Sequence, residues 1–274
     1  VDVVSFARQV LMGGQFEDKL LPIDSVDRFN TPTDSFEIKS PGRPSRLEFS
    51  DVRVAFPKHN SFHEKQTRAK ALHFFANHEL LAIEIMALVL YRFPMEEKIQ
   101  KAILKTMADE QKHLMLYIRR MQALGMEFGD LPLNDFFWKN ALKLKNIEQY
   151  FALMALTFEA ANLDFGLFYR DIFQKYDDTQ SAQIMQIVHD DEISHVALGV
   201  SHLKKAAMDK PLWDYYCSLM PADVAPSRAK GMLFDRKGRE SAGFPEDYIN
   251  TIEHYRDNHP ATNRKICNQQ KPIK

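Results

Sequence analysis

Glu110-Gln111-Lys112-His113 and Glu192-Ile193-Ser194-His195 decide the reading of this chain, because no other glutamate has a histidine three residues on. Each copy follows an aspartate, Asp109 or Asp191, and each lies downstream of a further glutamate set in an apolar run. Those runs also align, Glu79-Leu80-Leu81-Ala82-Ile83-Glu84 with Glu159-Ala160-Ala161-Asn162-Leu163-Asp164. Glu110 comes 31 residues after Glu79, and Glu192 comes 33 after Glu159. Residues three apart are neighbours on a helix, so each motif aims a carboxylate and an imidazole at one point. A hairpin returning over about thirty residues brings the upstream glutamate back to the same height. Two such hairpins place Glu79, Glu110, His113, Glu159, Glu192 and His195 in the interior of a four-helix bundle.

Working outward, Leu72, Phe75, Ala76, Glu79, Ile83, Met86, Ala87 and Leu90 keep the spacing of one buried helical stripe. The first long helix is predicted over about 61–93, with Ser61 as N-cap and Pro94 as its stop. The second covers about 95–124 and ends at Gly125, a suitable C′ residue. A crossover over 126–145 holds Phe136, Phe137 and Trp138 and a short helix. A third helix over about 146–176, a turn at Asp177-Asp178-Thr179 and a fourth helix to about 208 complete an all-α, ferritin-like wiring of two hairpins joined by a long crossover.

Residues 1–60 read as an N-terminal extension packed on the bundle of 61–207, and 208–274 as C-terminal helices and loops covering it. The extension begins with a helix over about 3–12, broken at Gly13-Gly14. Prolines in Thr31-Pro32-Thr33-Asp34 and Ser40-Pro41-Gly42-Arg43-Pro44 then enforce extended chain. Alternating Leu47, Phe49, Val52, Val54 and Phe56 call for an apolar surface to cover. Short amphipathic helices are expected over 212–219 and 245–255, with a frayed polar tail from Asn258.

Composition agrees with a globular helical protein: 274 residues, 45% hydrophobic, 27% charged and only ten glycines. A net charge of −1 gives no electrostatic argument for nucleic-acid binding. Cys217 and Cys267 match no zinc or redox spacing, so a reducing compartment is expected. No basic-then-apolar leader opens the chain, and the apolar stretch 85–91 is too short for a bilayer. The expectation is a soluble cytoplasmic protein with no membrane partner.

One Glu-x-x-His is weak evidence, since such a pair usually sits on a solvated face. Two copies, each with an upstream buried glutamate, are another matter. Four ionised carboxylates in a bundle interior cost several kcal/mol each without a compensating cation. The oxygen and nitrogen donor set, without thiolate, suits a pair of iron ions, with Mn–Fe and Mn–Mn as alternatives. Asp109 and Asp191 are placed to orient a ligand histidine of the opposite hairpin, with solvated carboxylates as the competing reading. Glu84 and Asp164 point about 140° away from the upstream glutamates, which favours inter-helix hydrogen bonds over ligation. His78 and His189 read as packed or exposed histidines, and Tyr117 and Tyr169 as core rather than redox groups. The loop 226–244 collects five cations and three glycines. It is either a solvated basic loop or a mobile lid whose Arg228 or Arg239 meets an anionic substrate.

With these motifs the chain resembles the ferritin-like di-iron carboxylate superfamily over about 61–207. His78-Glu79-Leu80, Arg92-Phe93-Pro94, Glu110-Gln111-Lys112-His113, Thr157-Phe158-Glu159-Ala160-Ala161-Asn162 and Asp191-Glu192-Ile193-Ser194-His195 carry a narrower likeness. They resemble a bacterial family of ferritin-like proteins catalogued as a domain of unknown function. The likeness extends to Ser227-Arg228-Ala229-Lys230-Gly231 and Ala242-Gly243-Phe244. It implies a fold and a metal site, not a substrate. The leading expectation is an O₂-using di-iron oxidoreductase that oxidises, most simply hydroxylates, a small organic substrate. Glu79, Glu110, Glu159 and Glu192 are its catalytic carboxylates, and an external electron donor serves it. A homodimer is compatible with this reading. Ferroxidase or iron-storage activity, a peroxide-detoxifying enzyme and a metal-free helical scaffold are the competing functions.

Overall fold

The computed structural model describes residues 1–32 and 38–257, and every described regular element is a helix. The reading of Thr33-Asp34, Cys267 and the tail from Asn258 lies outside the described residues. The chain divides into two compact units, residues 1–143 and 144–274.

In the first unit α1 (Val3–Met12) packs on α2 (Lys65–Arg92), which packs lengthwise on α3 (Glu97–Ala123). Helix α4 (Phe136–Ala141) comes next, in the crossover. Pro94 ends α2 as expected, but Ser61 does not cap it. Its hydroxyl donates to Lys58 O at 2.8 Å inside a 3₁₀ turn, so α2 starts later, after Glu64. Gly125 ends α3 at φ +86°. Its N–H donates to Gln122 O and that of Met126 to Met121 O, closing the two carbonyls that a Schellman cap serves. Trp138 is fully buried and donates Nε1–H to Lys39 O at 2.9 Å, which ties the crossover to the N-terminal segment. The alternation over 47–56 holds only in part. Leu47 is buried, but Val52 is 64% exposed, because Ser50 Oγ accepts the Val52 N–H and turns the chain outward.

In the second unit α5 (Ile147–Leu153), a π-helical segment (Met154–Glu159) and α6 (Ala160–Lys175) form one continuous rod. It packs on α7 (Thr179–Ala207) after a turn in which Asp177 takes φ +58° and Asp178 caps α7 at Ser181 N. Gly199 lets α7 approach the π segment closely, since a Cβ there would stand 2.3 Å from that of Ala155. Helices α8 (Leu212–Leu219), α9 (Arg236–Ser241) and α10 (Glu246–His254) close the unit. The all-α class is borne out, with two packed pairs of long helices consistent with a helical bundle. The helices Lys65–Arg92 and Ile147–Lys175 are long and apolar enough to cross a membrane, yet 89% and 78% of their apolar windows are buried within the protein. That is how core helices of globular proteins behave.

The flanking segments are held by buried charge. Glu84 of α2 is fully buried and takes a fork from Arg43, Nε to Oε1 at 2.9 Å and Nη2 to Oε2 at 2.5 Å. Lys19 Nζ stands 3.4 Å from the same carboxylate and caps α1 through Val10 O and Leu11 O. In the second unit Asp164 of α6 is equally buried and takes a fork from Arg239 at 2.6 and 2.9 Å. Lys230 caps α10 through Ile252 O, Glu253 O and Tyr255 O. Each guanidinium also lies over a phenylalanine, Arg43 on Phe49 at 4.2 Å and Arg239 on Phe234 at 4.1 Å. Asp164 thus has its partner on another helix, α9, as the inter-helix reading expected, whereas the fork on Glu84 comes from Arg43, which lies outside any helix.

Two buried histidines take opposite protonation states. His73 Nε2 accepts the Gly129 N–H at 3.0 Å, which requires a neutral ring, and burial pushes its pKa down to about 4. His189 faces carboxylate oxygens at both nitrogens, Asp190 at 3.0 Å and Asp235 at 2.9 Å, and only an imidazolium donates to both. Burial pushes its pKa down, but the hydrogen bonds to Asp235 and Asp190 outweigh it and raise it above 6.5.

Breaking one partner of a buried pair leaves an uncompensated charge, so Arg43→Met should destabilise the protein by about 3–5 kcal/mol in urea unfolding. Arg43→Lys should recover part of that. A loss below about 1 kcal/mol, the range of surface pairs, would show that the fork contributes little. The histidines give a signed pH dependence. A folded pKa near 4 means that His73 favours the fold above its free value of 6.5 and loses this as pH falls towards 4. His189, raised above 6.5, favours the fold below that value and loses this as pH rises through its folded pKa. Unfolding curves across pH for His73→Phe and His189→Gln should therefore converge with wild type on opposite sides of neutrality. Convergence on the same side would contradict the assigned states.

Candidate metal centre

Helix α2 presents Glu79 within its most deeply buried stretch, and α3 presents Glu110 and His113 one turn apart, all three at most 4% exposed. One ligand atom from each comes within 4.8 Å of the others. His113 Nδ1 faces Glu110 Oε2 at 3.3 Å, which makes Nδ1 the nitrogen on the carboxylate side. Atoms bound to one ion at about 2 Å lie at most about 4 Å apart. Side-chain shifts below an ångström would bring these three onto a single centre.

The second unit repeats the motif with the same geometry. His195 Nδ1 faces Glu192 Oε2 at 3.3 Å, and both residues are buried. The other oxygen of Glu192 accepts from Asn162 Nδ2 at 2.8 Å. The position aligned with Asn162 in the first half is Ala82, which has no group to offer a carboxylate, so the halves differ in how they orient their glutamates. Glu159 is buried at the last residue of the π segment. A π turn inserts one residue into the helical repeat and rotates the helix beyond it, and such turns concentrate at functional sites. Thr157 stabilises this one, with Oγ1 donating to Ala152 O five residues back and paired with Tyr216 OH at 2.9 Å.

The donor chemistry fits a metal. Glu79 and Glu110 carry two negative charges when ionised, and His113 carries at most one positive charge. A divalent cation cancels that imbalance while using neutral imidazole as ligand. Two carboxylates with one imidazole, and no thiolate, suit iron or manganese. Buried carboxylate and histidine groups able to hold metal are therefore present, and their metal's identity is a separate question.

The remaining candidates resolve individually. Asp109 pairs with Lys112 at 3.3 Å. His78 packs on Phe137 with ring centres 4.8 Å apart, and Tyr117 is core beside Phe75. The 226–244 loop is solvated only in part, with Lys237 exposed and Arg228 and Arg236 half-buried, and Arg239 is not a lid residue. Arg239 is 1% exposed, forks onto Asp164, and donates to Ala160 O, Ala229 O and Asp235 O. Lys230 is also buried, and burial pushes its pKa down to about 8. Sequence reading missed Arg43, Asn162, Asp235 and the π turn. Only Asn162 left a visible signal, as the polar member of a repeat pair whose counterpart is alanine.

No solved structure matches this chain at a significant level. It is 26% identical over 168 residues to an uncharacterized protein of Haemophilus influenzae, a stretch covering 58% of this chain and 57% of that relative. The chain thus spans little more than half the length of that protein. A family described as proteins of unknown function matches residues 12–250, both long helix pairs and most of the flanks included. By that match the chain belongs to the DUF455 family.

Proposed function

We propose that this protein is a non-haem di-iron oxidoreductase that uses O₂ to oxidise a small organic substrate. Glu79, Glu110 and His113 would hold one ion, and Glu159, Glu192 and His195 the other. The observation that carries the reading is the buried convergence of Glu79, Glu110 and His113, with its Glu-x-x-His geometry repeated at Glu192 and His195. Bound iron would supply the electrons that reduce O₂, with an external donor restoring them. The chain's own residues would keep the ions apart from bulk water, hold both imidazoles neutral with Nδ1 inward, and balance the metal charge with four carboxylates. Asn162 would fix one oxygen of Glu192 and so restrict how that carboxylate binds. Flanks pinned by buried ion pairs favour fixed walls around such a centre over the clean outer faces of a storage cage.

Anaerobic Fe(II) titration of the full chain should give about two ions per chain, and the double variant Glu110→Ala, Glu192→Ala should bind none. Ligand-linked stabilisation, about 2.7 kcal/mol at a metal concentration a hundredfold above Kd, should vanish with it. A wild-type protein that stays metal-free after loading sinks the proposal. Exposure of the loaded protein to O₂ then separates oxidase from store. An oxidase consumes O₂ repeatedly with an added reductant and keeps two irons, whereas a store accumulates many ferric ions per chain.

A further inference from the structure

Helix α9 is six residues long, yet its first turn reaches both helices that carry the second ligand set. Asp235, its N-cap, accepts from His189 Nε2 at 2.9 Å, and His189 lies on α7 three residues before Glu192. Arg239 forks onto Asp164 of α6, five residues after Glu159, and donates Nη2–H to Ala160 O at 3.1 Å. Ala160 is the residue at which the π segment gives way to α-helix. The backbone N–H groups of Gly231 and Asp235 close on Asp164 from the same segment, each at 2.7 Å. One short stretch of chain therefore grips α6 beside Glu159 and α7 beside Glu192.

We infer that Asp235 and Arg239 are positioning residues for this half of the metal centre, setting the register between Glu159 and Glu192. The inference rests on the metal-centre reading above. Its physical basis is that a π turn is a marginal feature. The extra residue costs little to shift by a position, and a shift rotates Glu159 by about 100°. Arg239 anchors the exit of that turn through Ala160 O and Asp164, so it holds the turn where Glu159 faces inward. Asp235 fixes the partner helix through His189, and the hydrogen bond from Asn162 to Glu192 then depends on both grips. Burial of Asp164, Arg239 and His189, 0%, 1% and 7% exposed, limits how far water can relax the geometry, with Asp235 half-buried at its edge.

The test uses Co(II) as a spectroscopic probe, titrated anaerobically into the full chain and monitored by its visible d–d absorption. Wild type should bind two Co(II). Arg239→Met should weaken one of them by about tenfold or more and change its band, as loss of an orienting partner does. Arg239→Lys keeps the charge without the fork and should restore stability more than it restores the band. Asp235→Asn retains an acceptor for the cap at Gly238 N–H and should give the same single-site loss, which decides the matter if Arg239→Met does not fold. Arg43→Met breaks the equivalent pair in the first half and serves as a stability control, which should spare the band that Arg239→Met alters. Wild-type affinity and spectrum in folded Asp235→Asn and Arg239→Met would overturn the positioning role, and so would the same spectral change in Arg43→Met. A wild type that binds no Co(II) would instead remove the metal reading itself, and this inference with it.

Discussion

Six carboxylates lie buried along the long helices, Glu79, Glu84, Glu110, Glu159, Asp164 and Glu192, and each needs positive charge or donors close by. Taking a carboxylate out of water costs several kcal/mol even after the protein relaxes, so the answers to these six groups shape the rest of the molecule. Glu84 and Asp164 are answered by guanidinium forks delivered from outside the helix pairs. Glu110 and Glu192 each face the imidazole of their own helix, one turn on, in a donor arrangement that a divalent ion completes. The two kinds of answer differ in chemistry: guanidinium forks where the flanks anchor, and imidazoles beside carboxylates where the residues could hold a metal.

The flanks obey the same constraint. Each supplies an arginine on a phenylalanine ring and a buried lysine that caps a helix, Lys19 on α1 and Lys230 on α10. An arginine fork suits a buried carboxylate because both oxygens are satisfied in one plane. Lysine suits a helix end because three donors on one nitrogen can meet several orphan carbonyls. The resemblance between the halves therefore extends past the ligand motifs into chemistry that no sequence alignment of the flanks would reveal. It also explains why Arg239 and Lys230 of the glycine-rich basic loop are not lid cations: both are spent inside the protein.

The halves are not equivalent. The second contains a π turn, the Asn162 contact to Glu192 and the His189–Asp235 pair, none of which has a counterpart among the described contacts of the first. Under the proposed di-metal function, different orienting groups would give the two ions different ligand environments, since outer partners tune ligand basicity.

Much of this was legible without coordinates. The doubled Glu-x-x-His, the apolar stripe of α2, the stop at Pro94, the cap at Gly125 and the helices at Val3–Met12 and Leu212–Leu219 are local facts. Their physics acts over a few residues, through helical periodicity, proline's missing N–H and glycine's access to positive φ. What only tertiary structure decided is which distant groups meet. Arg43 stands 41 residues from Glu84 and Arg239 stands 75 from Asp164, and neither separation has a period to read. A buried arginine is the same letter as a solvated one, because desolvation depends on what the folded chain packs around it. The π turn is similarly silent, since Met154–Glu159 is as good an α-helix by composition as its neighbours, and the contacts that accompany the wider turn, with α7, Tyr216 and Arg239, are tertiary.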